Sequence, residues 1–317
     1  MNWSRKKIQE QWRPVDFDYP ASLSAVEQQY CRFYGIDLER ELDHFEHGFG
    51  YLEFDGLQLA THYYRPRLSL SRGTFLLQHG YFDHSGLYRH LIRFCLAQNY
   101  SVIIYDLPGH GLSTGARASI NDFQEYVAIL EHYNRVCRPH FDEPWHLVGQ
   151  STGGAIAMAY LLANRFDPVN TPFQKVFLLA PLVRAASWNK LLWLYRLSRR
   201  WRKSAKRKLV PCSHDAEFMA FIKDKDPLQY HRVPLLWVTS LIAWADSFEQ
   251  FDQSRLSPVV IQGGEDVTVD WRYNLAAIDR KFSSPKVHML PQARHHLVNE
   301  AAELRDQIFA ILASYLA

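Results

Sequence analysis

Gly149-Gln150-Ser151-Thr152-Gly153 places a serine between two glycines at fixed spacing, G-x-S-x-G. The run Trp145-His146-Leu147-Val148 precedes it as a strand, and Ala155 to Leu162 follows it as a helix. In that setting the serine sits on a sharp strand-to-helix turn, with glycines where the two elements approach closely. The free N–H groups and dipole of the helix N-terminus then favour negative charge beside Ser151. The chemistry suited to this arrangement is nucleophilic attack on a carbonyl carbon.

A serine hydroxyl is a weak nucleophile near neutral pH and needs a base held by an orienting group. In the strand-turn-helix setting the order along the chain is serine, acid, histidine. Downstream, Val260-Ile261-Gln262-Gly263-Gly264-Glu265-Asp266 ends a strand, with Asp270 close behind. After the next strand comes Ala293-Arg294-His295-His296. The residues alone leave Glu265, Asp266 and Asp270 open as the acid, and His295 and His296 open as the base. Both groups lie at strand C-terminal ends, where ligands bind in open α/β sheets.

Acyl transfer also builds charge on the carbonyl oxygen, which needs two preset N–H donors. One is expected from Thr152, directly after the serine. The other is expected from the loop after an earlier strand, Gln78-His79-Gly80-Tyr81-Phe82, with Tyr81 as the donor.

These residues need a frame. Tyr51 to Phe54 and Leu57 to Tyr64 flank Asp55-Gly56, a hairpin signal. Short apolar runs follow at 74–77, 101–105, 145–148, 175–179, 259–262 and 286–290, alternating with helical patterns such as 87–98, 120–137, 154–164 and 298–316. That alternation predicts an α/β fold, a mostly parallel sheet with helices on both faces. Residues 183–252 interrupt it with helical patterns and no strand signal, and read as a helical cap. The expected organisation is an arm over 1–48, a core over 49–182 and 253–317, and the cap over 183–252.

The 317 residues are 47% hydrophobic and 22% charged, with a net charge of +3. This balance excludes a disordered chain, a collagen-like fibre and a coiled coil, and gives no overall charge for nucleic-acid binding. The four cysteines form no CxxC pair, and no HExxH or clustered ligand spacing is present, so neither a metal nor a cofactor is expected. No signal peptide or membrane span is visible in the sequence, which makes a cytoplasmic protein the expectation. Within the cap, ten Lys and Arg residues lie between Arg184 and Lys208, with no Asp or Glu as far as residue 214. The adjoining stretch carries Trp188, Leu191, Leu192 and Trp193. Basic and aromatic residues together suit peripheral contact with an anionic membrane through Arg196–Lys208; a solvated charged helix is the alternative.

Four stretches resemble the α/β-hydrolase superfamily, in particular its monoacylglycerol lipase and lysophospholipase subgroup with serine-aminopeptidase-like relatives. They are His79-Gly80-Tyr81-Phe82-Asp83-His84-Ser85-Gly86-Leu87-Tyr88, Asp106-Leu107-Pro108-Gly109-His110-Gly111-Leu112-Ser113, the elbow at Ser151, and Arg294-His295-His296-Leu297-Val298-Asn299-Glu300. The resemblance spans residues 50–317. It implies Ser151, Asp266 and His295 as the catalytic set, since the family's acid ends a G-x-x-D pattern and its histidine follows Ala-Arg. It implies further that Val233 to Trp244 lines an acyl-chain tunnel. The function expected is hydrolysis of lipid-like carboxylic esters, monoacylglycerol or lysophospholipid, through an acyl-enzyme. A general carboxylesterase on short acyl esters and a catalytically silent membrane-binding protein are the alternatives.

Overall fold

A computed structural model describes residues 3–68 and 70–316. The arm opens with α1 (Arg5–Gln9) and α2 (Ala25–Tyr34). Ser24 and Glu27 form a reciprocal capping box at the start of α2, and Gly35 ends it in the left-handed region at φ 65°. The first strands, β1 (Phe45–Phe54) and β2 (Leu57–Pro66), pair antiparallel with Phe54 opposite Leu57. Asp55 and Gly56 both take positive φ, as a two-residue hairpin turn requires. β1 begins six residues before the apolar run at Tyr51, so residues 45–48 lie in the sheet and not in the arm. Gly48 and Gly50 hide this from the pattern: a Cβ on Gly48 would sit 2.0 Å from the Tyr63 ring, and one on Gly50 would sit 2.4 Å from the Arg13 carbonyl.

The alternating part follows as β3 (Thr74–Gln78), α3 (Arg89–Ala97), β4 (Ser101–Tyr105), α4 (Phe123–Cys137), β5 (Trp145–Gln150), α5 (Thr152–Ala163) and β6 (Lys175–Leu179). The cap holds α6 (Trp188–Ser198), β7 (Ser204–Lys206), α7 (Ala216–Ala220), β8 (Arg232–Pro234) and α8 (Leu235–Gln250). The chain closes with β9 (Val259–Gly263), α9 (Trp271–Lys281), β10 (Lys286–Leu290) and α10 (Ala302–Ser314). The main sheet has eight strands in the order β1-β2-β4-β3-β5-β6-β9-β10. It is parallel from β4 to β10 and antiparallel at β1 and β2. β3, β4 and β5 are buried along their whole length, as expected for strands covered on both faces. One face packs on α4 and α5 and the other on α3 and α10, giving two apolar layers.

The cap is not wholly helical. β7 and β8 pair antiparallel, a ribbon of three residues per strand and too short to leave an alternation signal. α8 clamps the cap to the core: Trp244 stacks on Phe123 at 5.0 Å, and its indole N–H donates to the Leu182 carbonyl at 3.0 Å. No described helix is long and apolar enough to cross a membrane.

Candidate active site

β5 runs into α5 through Ser151, whose φ of 54° and ψ of −111° lie outside the regions a serine normally occupies. The surroundings hold this turn. The Ser151 N–H donates to the Leu179 carbonyl at 2.8 Å, and its own carbonyl accepts from Ala155 and Leu182. The two glycines are steric necessities. A Cβ on Gly149 would lie 2.4 Å from the Gly153 carbonyl carbon, and one on Gly153 would lie 2.1 Å from the Gln78 carbonyl oxygen.

The sequence-predicted residues come together across 144 positions of chain. His295 Nε2 lies 2.9 Å from Ser151 Oγ, and His295 Nδ1 lies 2.7 Å from Asp266 Oδ2. Asp266 follows β9 and also accepts from the Thr268 and Val269 N–H groups and from Gln262 Nε2. Burial opposes its ionisation, yet the His295 ring and these donors hold its carboxyl below the ordinary value. Burial likewise lowers the His295 pKa, and the Asp266 carboxylate outweighs it, leaving a net rise.

The competing candidates point elsewhere. Glu265 faces His214 at 3.2 Å and Arg294 at 3.8 Å. Asp270 caps α9 by accepting from the Tyr273 N–H. His296 turns away from Ser151 toward Asp83, 3.1 Å from its carboxylate.

Thr152 is the first residue of α5, so its N–H is one of the first-turn donors that no intrahelical acceptor reaches. Tyr81 and Thr152 border the same cavity as Ser151. Tyr81 is held at both ends. Its hydroxyl donates to the Ala118 carbonyl at 2.7 Å, and its ring stacks flat on Trp237 of α8 at 3.5 Å.

The cavity measures about 430 Å³ and lies between the strand ends and the cap. Leu182, Val233, Trp237 and Val269 give it apolar walls, and Arg207 and Lys208 enter from the cap. From the stretch 233–244, Val233 and Trp237 reach the cavity, whereas Trp244 packs into the core.

Several residues of the site lie in the sequence motifs, but the sequence alone assigns them no role. Gln150 Nε2 donates to the His295 carbonyl at 2.9 Å and fixes the loop behind the imidazole. Tyr88 hydroxyl accepts from the Gly80 N–H and donates to Asp83. Glu300, fully buried, accepts from the His214 N–H at 2.7 Å and so ties the cap to the histidine loop.

The sequence pattern gave no clustered metal-ligand spacing, but the fold brings Cys31, His47 and His62 within 4.8 Å of one another. They come from α2, β1 and β2. His47 Nε2 and His62 Nδ1 are 2.9 Å apart, a hydrogen-bond distance, and His47 Nδ1 faces Glu39 at 3.1 Å. None of the three borders the cavity beside Ser151.

An eight-stranded sheet of this order, with a serine elbow after its fifth strand and a cap over its strand ends, defines an α/β-hydrolase. Solved structures agree on the fold. A soluble variant of monoglyceride lipase from Saccharomyces cerevisiae superimposes with a TM-score of 0.71 at 18% identity, over 84% of this chain and 93% of that one. The Paleococcus ferrophilus monoacylglycerol lipase gives 0.68 at 19% identity, over 82% and 98%. The family model described as serine aminopeptidase, S33, matches residues 70–302, and the chain belongs to that family. Among relatives, the monoglyceride lipase of Rattus norvegicus is 33% identical over 132 residues, which are 41% of this chain and 42% of that protein. The match thus spans about two-fifths of that relative's length. The monoacylglycerol lipase of Mycolicibacterium smegmatis is 27% identical over 258 residues, 77% of this chain and 89% of that protein.

Proposed function

We propose that the chain is a serine hydrolase of carboxylic esters with a lipid-like acyl group, monoacylglycerol or lysophospholipid, and that Ser151, His295 and Asp266 are its catalytic residues. The observation that carries this reading is the hydrogen-bonded line from Ser151 Oγ through His295 to Asp266 at the wall of an apolar cavity. Ser151 Oγ attacks the ester carbonyl carbon while its proton passes to His295 Nε2. Asp266 holds the ring with Nδ1–H inward and stabilises the imidazolium. The N–H groups of Tyr81 and Thr152 receive the oxyanion. His295 then gives its proton to the leaving alcohol. Water, activated by the same imidazole, attacks the acyl-enzyme and releases the acid and free Ser151.

The apolar walls suit an acyl chain. A free peptide amine calls for an acidic subsite; Asp83, which borders the cavity, is engaged by His296 and Tyr88, and the cap brings Arg207 and Lys208 to the same cavity. This speaks for an ester and against an aminopeptidase. The outer surface of the cap supports peripheral contact with an anionic membrane. Trp193, Leu194, Leu197 and Trp201 are exposed there, on and just beyond α6, beside Arg196, Arg199, Arg200 and Arg202.

The test is fatty-acid release from a monoacylglycerol and a lysophospholipid of equal chain length, with Ser151→Ala as control. Release that depends on Ser151 upholds the reading. Cleavage confined to short soluble esters moves it to a general carboxylesterase. Absence of any Ser151-dependent cleavage removes it.

A further inference from the structure

Between Arg196 and Lys208, Arg207 is the one basic residue that is not exposed. Arg199, Arg200 and Arg202 stand in solvent, whereas Arg207 is half-buried in the cavity wall. Its guanidinium lies over the Phe82 ring, 4.0 Å from the centroid, and Phe82 directly follows Tyr81.

The side chain is posed by a line of oriented groups. Arg207 Nη1 donates to Gln229 Oε1 at 2.7 Å. Gln229 Nε2 donates to Asp226 Oδ2 at 2.8 Å, which turns the amide oxygen toward the arginine. Asp226 is anchored in turn by His84 at 3.0 Å and by the Tyr34 hydroxyl at 2.6 Å. The backbone carbonyl of Tyr230 is a further acceptor for Nη1, at 3.4 Å.

Among the described residues no carboxylate lies within ion-pair distance of Arg207, and Nε and Nη2 have no protein acceptor. Asp83, whose charge it feels, is committed to His296 and Tyr88. Burial accordingly disfavours the charged arginine, and Asp83 offsets this only in part. A guanidinium drawn out of water without a counter-ion is costly, and its rigid fork of donors matches the oxygens of a carboxylate or phosphate. Lys208 borders the same cavity and adds charge of the same sign.

We propose that Arg207 is an anion-recognition residue, and that the preferred substrate is an ester carrying an oxyacid anion, phosphate or carboxylate, near the scissile bond. This rests on the ester-hydrolase reading and narrows it, since a neutral glycerol headgroup leaves Arg207 unpaired.

The experiment compares kcat/KM in two matched pairs: lysophosphatidic acid against monoacylglycerol of the same acyl chain, and the p-nitrophenyl monoester of glutaric acid against p-nitrophenyl valerate. The anionic member is expected to lead by about tenfold or more in at least one pair, and that pair identifies phosphate or carboxylate. Arg207→Met is expected to bring the ratio close to one, mainly through KM, and Arg207→Lys to keep part of it. Where Arg207→Met does not fold, Gln229→Leu, which frees the arginine, is expected to lower the ratio severalfold. Neutral members leading in both pairs, or a ratio that survives these changes, overturns the proposal. Failure of the hydrolase reading shows separately, as valerate cleavage that does not depend on Ser151. In that event calorimetric binding of lysophosphatidic acid to Ser151→Ala still reads Arg207. Binding about tenfold weaker when Arg207→Met is added to Ser151→Ala upholds the anion site, and equal or absent binding refutes it.

Discussion

Asp226 Oδ2 lies 3.0 Å from His84 Nε2, with both side chains closed off from solvent. His84 belongs to the loop after β3 and Asp226 to the cap. Tyr34 of the arm donates to the same carboxylate at 2.6 Å. One buried carboxylate therefore joins arm, core and cap. It also bounds the loop that contains Tyr81, so the position of the cap and the shape of the site are mechanically linked.

Removing one member of a buried pair strands the other, at a cost of about 3–5 kcal/mol. Asp226→Asn is therefore expected to lower the melting temperature by several degrees. Its pH dependence follows from the two shifts. Burial lowers the His84 pKa, but Asp226 outweighs it and the net value rises above the ordinary 6.5. The His84 contribution is thus complete below 6.5 and is lost as pH climbs through the raised value. Burial raises the Asp226 pKa, but His84, Tyr34 and Gln229 bring it down to about 2 from an ordinary 3.8. Its contribution is present above 3.8 and is lost as pH falls toward 2. Thermal melts of wild type and Asp226→Asn across this range check the point; equal differences at pH 5 and at strongly alkaline pH refute it.

In the proposed mechanism His295 is the base, a role that requires the neutral imidazole. Because the Asp266 carboxylate raises its pKa against the effect of burial, the acid limb of kcat/KM is expected above the ordinary histidine value of 6.5. Asp266→Asn removes the raising charge and offers Nδ1 the wrong hydrogen-bond partner. Activity is expected to drop by about 10⁴, the loss this change causes in a serine-protease triad. A pH–rate profile on a soluble ester shows the limb, and an unchanged limb in any active Asp266 variant counts against the assignment.

The adjacent histidines provide a sharper comparison. His295 faces Ser151, while His296 faces Asp83. His295→Ala is expected to lower kcat by about 10⁶, comparable to loss of the nucleophile in subtilisin. His296→Ala is expected to reduce stability and distort the Gly80–Asp83 loop, with a loss of activity at least a thousandfold smaller. Parallel kinetics and melting curves separate the two, and equal losses of kcat would reverse the roles.

The elbow is legible in the sequence because everything that shapes it is local: a strand, two glycines and a helix within twenty residues. The same holds for the hairpin at Asp55-Gly56. Choosing Asp266 over Glu265 is not local, because neighbouring carboxylates look alike until the fold turns one toward His295 and the other toward His214. Arg207 is hidden for a different reason. In the sequence it is one of ten basic residues, and only the pairing of β7 with β8 and the orientation of Gln229 set it apart. His84 and Asp226 are 142 positions apart, and Cys31, His47 and His62 meet only because α2 packs beside β1 and β2. Burial of polar groups in tertiary contacts leaves no periodicity to read.

The cap surface leads to the last prediction. The sequence shows apolar residues and then basic ones along 188–208. On α6 the helix instead turns Trp188 inward, with Leu191, Leu192 and Tyr195 packed against the core, and leaves Trp193, Leu194 and Leu197 outside with Arg196. Trp193 is 61% exposed and Trp201 86% exposed. Each exposed tryptophan gains by entering a lipid interface, and each Lys or Arg near an anionic surface adds about 1 kcal/mol that salt screens. Wild type is therefore expected to sediment with phosphatidylglycerol vesicles at low salt, less so at high salt, and weakly with phosphatidylcholine vesicles. Trp193→Ser with Trp201→Ser should weaken binding to both lipids, whereas Arg196→Gln with Arg200→Gln should weaken it on anionic vesicles alone. None of these four residues borders the cavity, so cleavage of a soluble ester separates surface binding from damage to the site. Vesicle binding that is absent at low salt, or indifferent to all four changes, means that this face of the cap is only a solvated surface.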